Sequence, residues 1–145
     1  MPTLWTIGYE RLLPSELVRE LAAAGVDRVL DVRFRPQSRR PGMSKTRLGD
    51  LLGVHGIVYE HRKALGTPPD IRALFRAGET EQAREAYRAH VEATSSEELD
   101  ALAAELDGPA RTALLCLEAD PAGCHRRVLS ESLRARRGDL EVVDL

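Results

Sequence analysis

Aromatic side chains make up only 4% of this 145-residue chain, cysteine occurs twice, and nineteen of the 21 basic residues are arginine. So few aromatics weigh against a base-stacking platform for single-stranded nucleic acid. Two cysteines are too few for the disulfide framework of a small secreted domain. No apolar run approaches the roughly 18 residues that a membrane span needs. The opening Met1-Pro2-Thr3-Leu4-Trp5 has neither the basic nor the apolar region of a signal peptide. A soluble, cytoplasmic protein with no membrane partner is the expectation. Several enzyme motifs are also missing. Gly42-Met43-Ser44-Lys45-Thr46 matches only the end of a phosphate-binding P-loop, and Gly-x-Gly-x-x-Gly, Gly-x-Ser-x-Gly and His-Glu-x-x-His do not occur. A tyrosine-phosphatase loop places arginine six residues after its cysteine, where this chain has Ala122 and Ser130. Kinases, ordinary dinucleotide enzymes, α/β-hydrolases and zinc proteases are all disfavoured, and no cofactor is implied.

What is present is enough apolar sequence, 43% against 30% charged, for one compact domain over residues 1–145. Strand-like runs at Leu4–Ile7, Val29–Val32, Ile57–Tyr59, Ala113–Leu117 and Leu140–Val143 alternate with helical patterns. The helices are expected from Pro14 to Ala24, from about Ser44, over Ile71–Ala77, Thr80–Ala93 and Ser96–Leu106, and from His125 to Arg136. Ser95 or Ser96 is a natural N-cap, with Glu97 and Glu98 in the first turn. This alternation predicts an α/β fold, a largely parallel sheet of about five strands with helices on both faces.

In such a sheet ligands bind at the carboxyl ends of the strands. Those ends read Gly8-Tyr9-Glu10, Asp31-Val32-Arg33, Tyr59-Glu60-His61 and Cys116-Leu117-Glu118, and two polar loops, Arg33–Gly42 and Asp120–Arg126, leave the same edge. Charge clusters there too. Arg28 to Arg47 holds seven basic residues against Asp31 alone, in a chain of net charge −2. Like charges at this density repel, and an anionic partner relieves them.

The runs Thr6-Ile7-Gly8-Tyr9, Asp31-Val32-Arg33 with Pro36, Ser38 and Arg39, Gly56-Ile57-Val58-Tyr59, Leu65-Gly66, and Cys116-Leu117-Glu118 through Cys124-His125-Arg126 occur in this order. Together they resemble the bacterial and archaeal family known as domain of unknown function 488, over nearly the whole chain. The resemblance implies a single small α/β domain and brings no agreed activity. The chain departs from the family pattern after Leu65-Gly66, where it reads Thr67-Pro68-Pro69 and Gly or Asn is expected near Gly66.

The Cys116–Arg126 stretch carries the reactive groups. Cys116 lies inside Leu114-Leu115-Cys116-Leu117 and reads as core, which separates it from Cys124. Cys124 sits at a helix start beside His125 and Arg126, where dipole and cations favour the thiolate. It fits a nucleophile, with His125 as general acid or base, a redox-sensing thiol or a metal ligand, or else a small packing residue. Adjacent Cys124 and His125 rarely ligate one ion and no Cys-x-x-Cys occurs, so no metal site is expected. Arg33, Arg39 and Arg126 suit two-pronged phosphate binding, with Tyr9 and Tyr59 as hydrogen-bonding or stacking partners. Asp31 and Glu118 are expected to hold some of these arginines as structural ion pairs, Arg33 and Arg126 in particular. His55, His61 and His90 read as surface or packing residues. The leading reading is an anion-binding protein, for a phosphorylated small molecule, nucleotide or nucleic-acid segment, with Cys124/His125-assisted transfer or hydrolysis. The alternative is a non-catalytic nucleic-acid-binding or regulatory module using the Arg28–Arg47 patch. Neither the substrate nor the oligomeric state follows from the sequence.

Overall fold

The computed structural model describes residues 2–145. Five strands, β1 (Thr3–Gly8), β2 (Arg28–Asp31), β3 (Val58–His61), β4 (Thr112–Cys116) and β5 (Glu141–Asp144), form one sheet in the order β3-β2-β4-β1-β5. Every pairing is parallel, so all carboxyl ends lie on one edge. Six α-helices connect them: α1 (Pro14–Ala23), α2 (Lys45–Val54), α3 (Pro69–Arg76), α4 (Thr80–Thr94), α5 (Ser96–Glu105) and α6 (Arg126–Arg136).

Side-chain alternation sorts the core into two layers. Trp5, Ile7, Val29, Ala113 and Leu115 meet Leu17, Val18 and Leu21 of α1 and Leu48 and Leu52 of α2. On the opposite face Leu4, Leu30, Leu114 and Cys116 meet Tyr87 and Val91 of α4, Leu99 and Leu102 of α5, and Val128, Leu129 and Leu133 of α6. Buried on both faces, β4 is continuously apolar after Thr112, whereas edge strand β3 alternates between exposed and half-buried residues.

Local signals placed most helix starts, with one difference. Pro14 is the first residue of α1, and Glu16 reaches back to accept the Leu13 N–H at 2.8 Å. Ser95 does occupy the N-cap position of α5, but its hydroxyl donates to the Ala64 carbonyl at 2.6 Å and caps nothing. Likewise Ser44, before α2, binds Ser38, accepting its N–H at 3.0 Å.

Candidate functional site

β1 and β2 both lead into the α1/α2 layer, while the loop after β4 leads to α6 on the other face. The connections diverge on either side of β4, which opens a crevice at its carboxyl end. The crevice is tight. Gly8 pairs with Cys116, and a Cβ at Gly8 would stand 1.7 Å from the Glu118 carbonyl oxygen. Only glycine lets β1 pass under that carbonyl. Gly66 serves the same purpose nearby, since a Cβ there would lie 2.5 Å from the Phe34 Cα. This approach sets Thr67 against the loop that follows β2.

Cys116 is the last residue of β4, and Cys124 stands in extended backbone before a helical turn at His125. Both residues are buried, at 1% and 2% exposure. Burial of Cys116 does not separate them, contrary to the expectation from the strand pattern. Position 116 falls on the α6 side of the sheet, and the Sγ atoms of Cys116 and Cys124 and a Glu118 carboxylate oxygen all lie within 4.8 Å of one another.

His125 fixes the chemistry of Cys124. Its Nε2 lies 2.8 Å from the Val32 carbonyl oxygen, which only accepts, so Nε2 carries a proton. Nδ1, 3.4 Å from Cys124 Sγ, is therefore free to take the thiol proton. Burial pushes the Cys124 thiol up, but the neighbouring Cys116 and the positive His125 and Arg126 outweigh it and hold the thiol well below its ordinary range. Burial likewise pushes His125 down, and the Cys124 charge and hydrogen bond raise it past its ordinary value. Both shifts favour the thiolate–imidazolium form of the pair. Tyr87, which the sequence reading overlooked, meets the ring edge-on at 5.1 Å and donates its hydroxyl to the Leu65 carbonyl at 2.6 Å.

Arg126 is wholly buried, and none of the ion pairs among the described residues includes it. It donates from Nε to Cys116 Sγ at 3.0 Å, from Nη1 to Thr6 Oγ1 at 2.9 Å, and from Nη2 to the carbonyl of Glu118 at 2.6 Å. The ion pair expected between Arg126 and Glu118 is thus a contact to backbone. Burial and then the Cys124 charge push the Glu118 carboxyl up, and its Oε2 accepts from the Cys116 thiol at 3.5 Å. Guanidinium does not lose its proton in proteins, so a buried Arg126 requires a counter-ion. The Cys124 thiolate is the group here whose ionisation the surroundings favour.

Arg33 and Asp31 form the second buried cluster. Asp31 is fully buried and accepts from Arg33 Nη2 at 2.7 Å and Nε at 2.9 Å, and from the Tyr59 hydroxyl. Arg33 Nη1 donates to Tyr9 Oη at 3.1 Å and to the Met43 carbonyl at 2.7 Å. Burial opposes the charge on Arg33, yet Asp31 raises the guanidinium further; burial and then Asp31 push the Tyr59 phenol above its ordinary range. Tyr9, Arg33, Asp31 and Tyr59 therefore come together, but as one another's partners. His61 joins them through Nε2, 2.7 Å from the Arg33 carbonyl oxygen. Among the other basic residues of the segment, Arg40 binds the carbonyls of Tyr9, Glu10 and Leu12, and Arg28 pairs with Glu105 at 3.2 Å.

A cavity of about 40 Å³, room for a very small group, is walled by Tyr9, Arg33, Thr67, Cys116, Cys124 and His125. It shares Phe34, Arg35, Gln37, Thr67 and Arg72 with an open groove of about 950 Å³. Arg35, Arg39, Arg72 and Arg76 line that groove with no acid among its walls. None of these four takes part in an ion pair among the described residues. Thr67 Oγ1, buried where cavity and groove meet, has no hydrogen-bond partner. Arg72 and Arg76 were not singled out from sequence, and Thr67 only as a departure from the family pattern; the four-residue spacing of the two arginines on α3 was the available signal. Cys116, Glu118 and Cys124 are also spaced as metal ligands. Arg126 already places a cation against Cys116, which disfavours a divalent ion at the same sulfur.

No curated protein and no solved structure matches the chain. Residues 14–133 match the family described as domain of unknown function DUF488. That span runs from the start of α1 into α6, so it covers Asp31, Arg33, Thr67 and the whole Cys116–Arg126 segment and leaves out β1 with Gly8 and Tyr9. Matched over most of its length and across both clusters of the crevice, the chain belongs to the family of the domain of unknown function DUF488.

Proposed function

We propose that this chain binds a phosphorylated, anionic substrate in the arginine-lined groove and transfers or hydrolyses a group on it with Cys124 as nucleophile. The carrying observation is that a groove lined by four unpaired arginines and no acid ends at the cavity holding the Cys124–His125 pair. Planar guanidinium groups suit phosphate oxygens, and the partnerless Thr67 hydroxyl adds a donor at the junction. The Cys124 thiolate attacks the electrophilic centre, and the His125 imidazolium returns its Nδ1 proton to the leaving group. Arg33 and Arg126 contribute by holding the walls and the thiolate in place.

Thermal shift with inorganic phosphate, pyrophosphate and nucleoside phosphates tests the binding. A ligand at 100 times its Kd stabilises by about 2.7 kcal/mol. With an unfolding entropy of about 2.1 cal/mol/K per residue, that is a rise of roughly 9 °C in Tm. Arg72→Gln with Arg76→Gln is expected to remove the rise and leave the ligand-free Tm unchanged, because neither side chain is paired. Cys124→Ser is expected to keep binding and lose turnover. If no phosphate compound shifts the wild type, or the shift survives in the double variant, the reading fails.

The class-distinct reading, a nucleic-acid surface on the Arg28–Arg47 segment, draws its support from Arg35, Arg39, Lys45 and Arg47, which are exposed. An oligonucleotide whose affinity falls steeply with salt is its signature; a single-anion pocket loses far less.

A further inference from the structure

We propose that Cys116 and Cys124 form a reversible intrachain disulfide when the protein meets a hydroperoxide, with Cys124 the attacking and Cys116 the resolving thiol. The proposal is independent of what the groove binds. Four features of the site carry it. The two sulfurs and the Glu118 carboxylate lie within 4.8 Å, so side-chain rotation brings the sulfurs toward the roughly 2.05 Å of a disulfide. Both cysteines line the same small cavity, large enough for a hydroperoxide group. Cys116 donates to Glu118 Oε2 at 3.5 Å, which gives its proton a destination. Arg126 Nε points at the same sulfur from 3.0 Å and steadies the thiolate that results. Glu118 has no part in the nucleophilic step proposed for Cys124, and Cys116 enters it only by helping to lower that thiol.

The chemistry balances in two steps. Cys124 thiolate attacks the terminal peroxide oxygen; the S–O bond forms, the O–O bond breaks, and the departing oxygen takes the Nδ1 proton of His125 to leave as an alcohol or water. The product is a sulfenic acid. Cys116 then passes its proton to Glu118 and attacks the Cys124 sulfur; the S–S bond forms, the S–O bond breaks, and hydroxide leaves, taking that proton to become water. Two thiols are oxidised, one hydroperoxide is reduced, and the nucleophile is withdrawn until a reducing thiol restores it.

Intact-mass analysis of the wild-type chain after stoichiometric hydrogen peroxide tests this without any substrate. A loss of about 2 Da, reversed by dithiothreitol, and a linked 116–124 peptide are expected. Cys116→Ser is expected to stop at the sulfenic acid, a gain of about 16 Da that a dione probe traps. Cys124→Ser is expected to keep its mass under the same exposure. Circular dichroism checks that each variant is folded, and the wild-type measurement stands without them. Three results would overturn the proposal: wild type that gains oxygen with no internal disulfide, wild type that leaves both thiols free, or a disulfide only between chains. Such an outcome leaves the phosphate-binding assay untouched, so the two proposals fail separately.

Discussion

Replacing Asp31 by Asn separates a structural arginine from a ligand-binding one. Asp31 is fully buried and holds Arg33, itself 4% exposed, through contacts of 2.7 and 2.9 Å. Asn keeps the volume, removes the negative charge and turns one accepting oxygen into a donor facing Nη2 or the Tyr59 hydroxyl. Removing one partner of a buried ion pair costs about 3–5 kcal/mol, mostly because the remaining charge stays buried without compensation. At about 2.1 cal/mol/K per residue, the unfolding entropy of a chain this long converts that cost to a Tm lower by roughly 10–16 °C. Thermal melts by circular dichroism in phosphate-free buffer read the effect directly. Asp31→Leu with Arg33→Met removes both charges and is expected to recover most of the loss, since an apolar pair of similar size is often neutral. An Asp31→Asn chain that melts within about 2 °C of wild type and loses its response to phosphate would refute this assignment and make Arg33 a ligand contact.

Two further expectations follow from the crevice. His125→Asn removes the cation that lowers the Cys124 thiol, so the pH curve of iodoacetamide labelling should move up toward the ordinary thiol value of about 8.5. In the wild type Cys124 is lowered and His125 raised. The pair therefore stabilises the fold between the two titrations, and the gain is lost as pH falls through the Cys124 value or rises through that of His125; coincident labelling curves would count against the pair. Gly8→Ala drives a Cβ into the Glu118 carbonyl, 1.7 Å away, and displaces the acceptor that Arg126 holds at 2.6 Å. Overpacking against backbone is expected to cost about 3 kcal/mol in a urea melt, and an unchanged midpoint would show that β1 has room to move.

The fold was legible because alternation of short apolar runs with helical periods is a local signal, and every strand and helix expected from it is present. The crevice was half legible. Strand ends pointed to Cys116, Asp31, Arg33 and Cys124, but local pattern is silent on which side of β4 residue 116 faces relative to α6. From sequence Arg126 suits both phosphate binding and an ion pair with Glu118; here Val128 and Leu129 pull the first turn into the core, and the guanidinium meets the Glu118 carbonyl instead. Thr67, Arg72 and Arg76 reach the site through α3 approaching the loop after β2, a meeting across more than thirty residues that leaves no trace in the local sequence.

The position of β4 also governs when the site can exist. Among the described residues β1 pairs only with β4 and β5, and β2 only with β3 and β4, so no strand pairing joins the two halves of the sheet until residues 112–116 slide between them. During synthesis the first 111 residues can make helices and the β2–β3 pair, but no continuous sheet. Contacts this distant in sequence form late and slowly. Arg126, His125 and Cys124 follow β4 out of the ribosome, and the Thr6 and Val32 partners that orient them wait on the far sides of the gap. Until β4 is inserted, Cys116 and Cys124 are thus ordinary thiols, and their activation arrives together with the closed sheet.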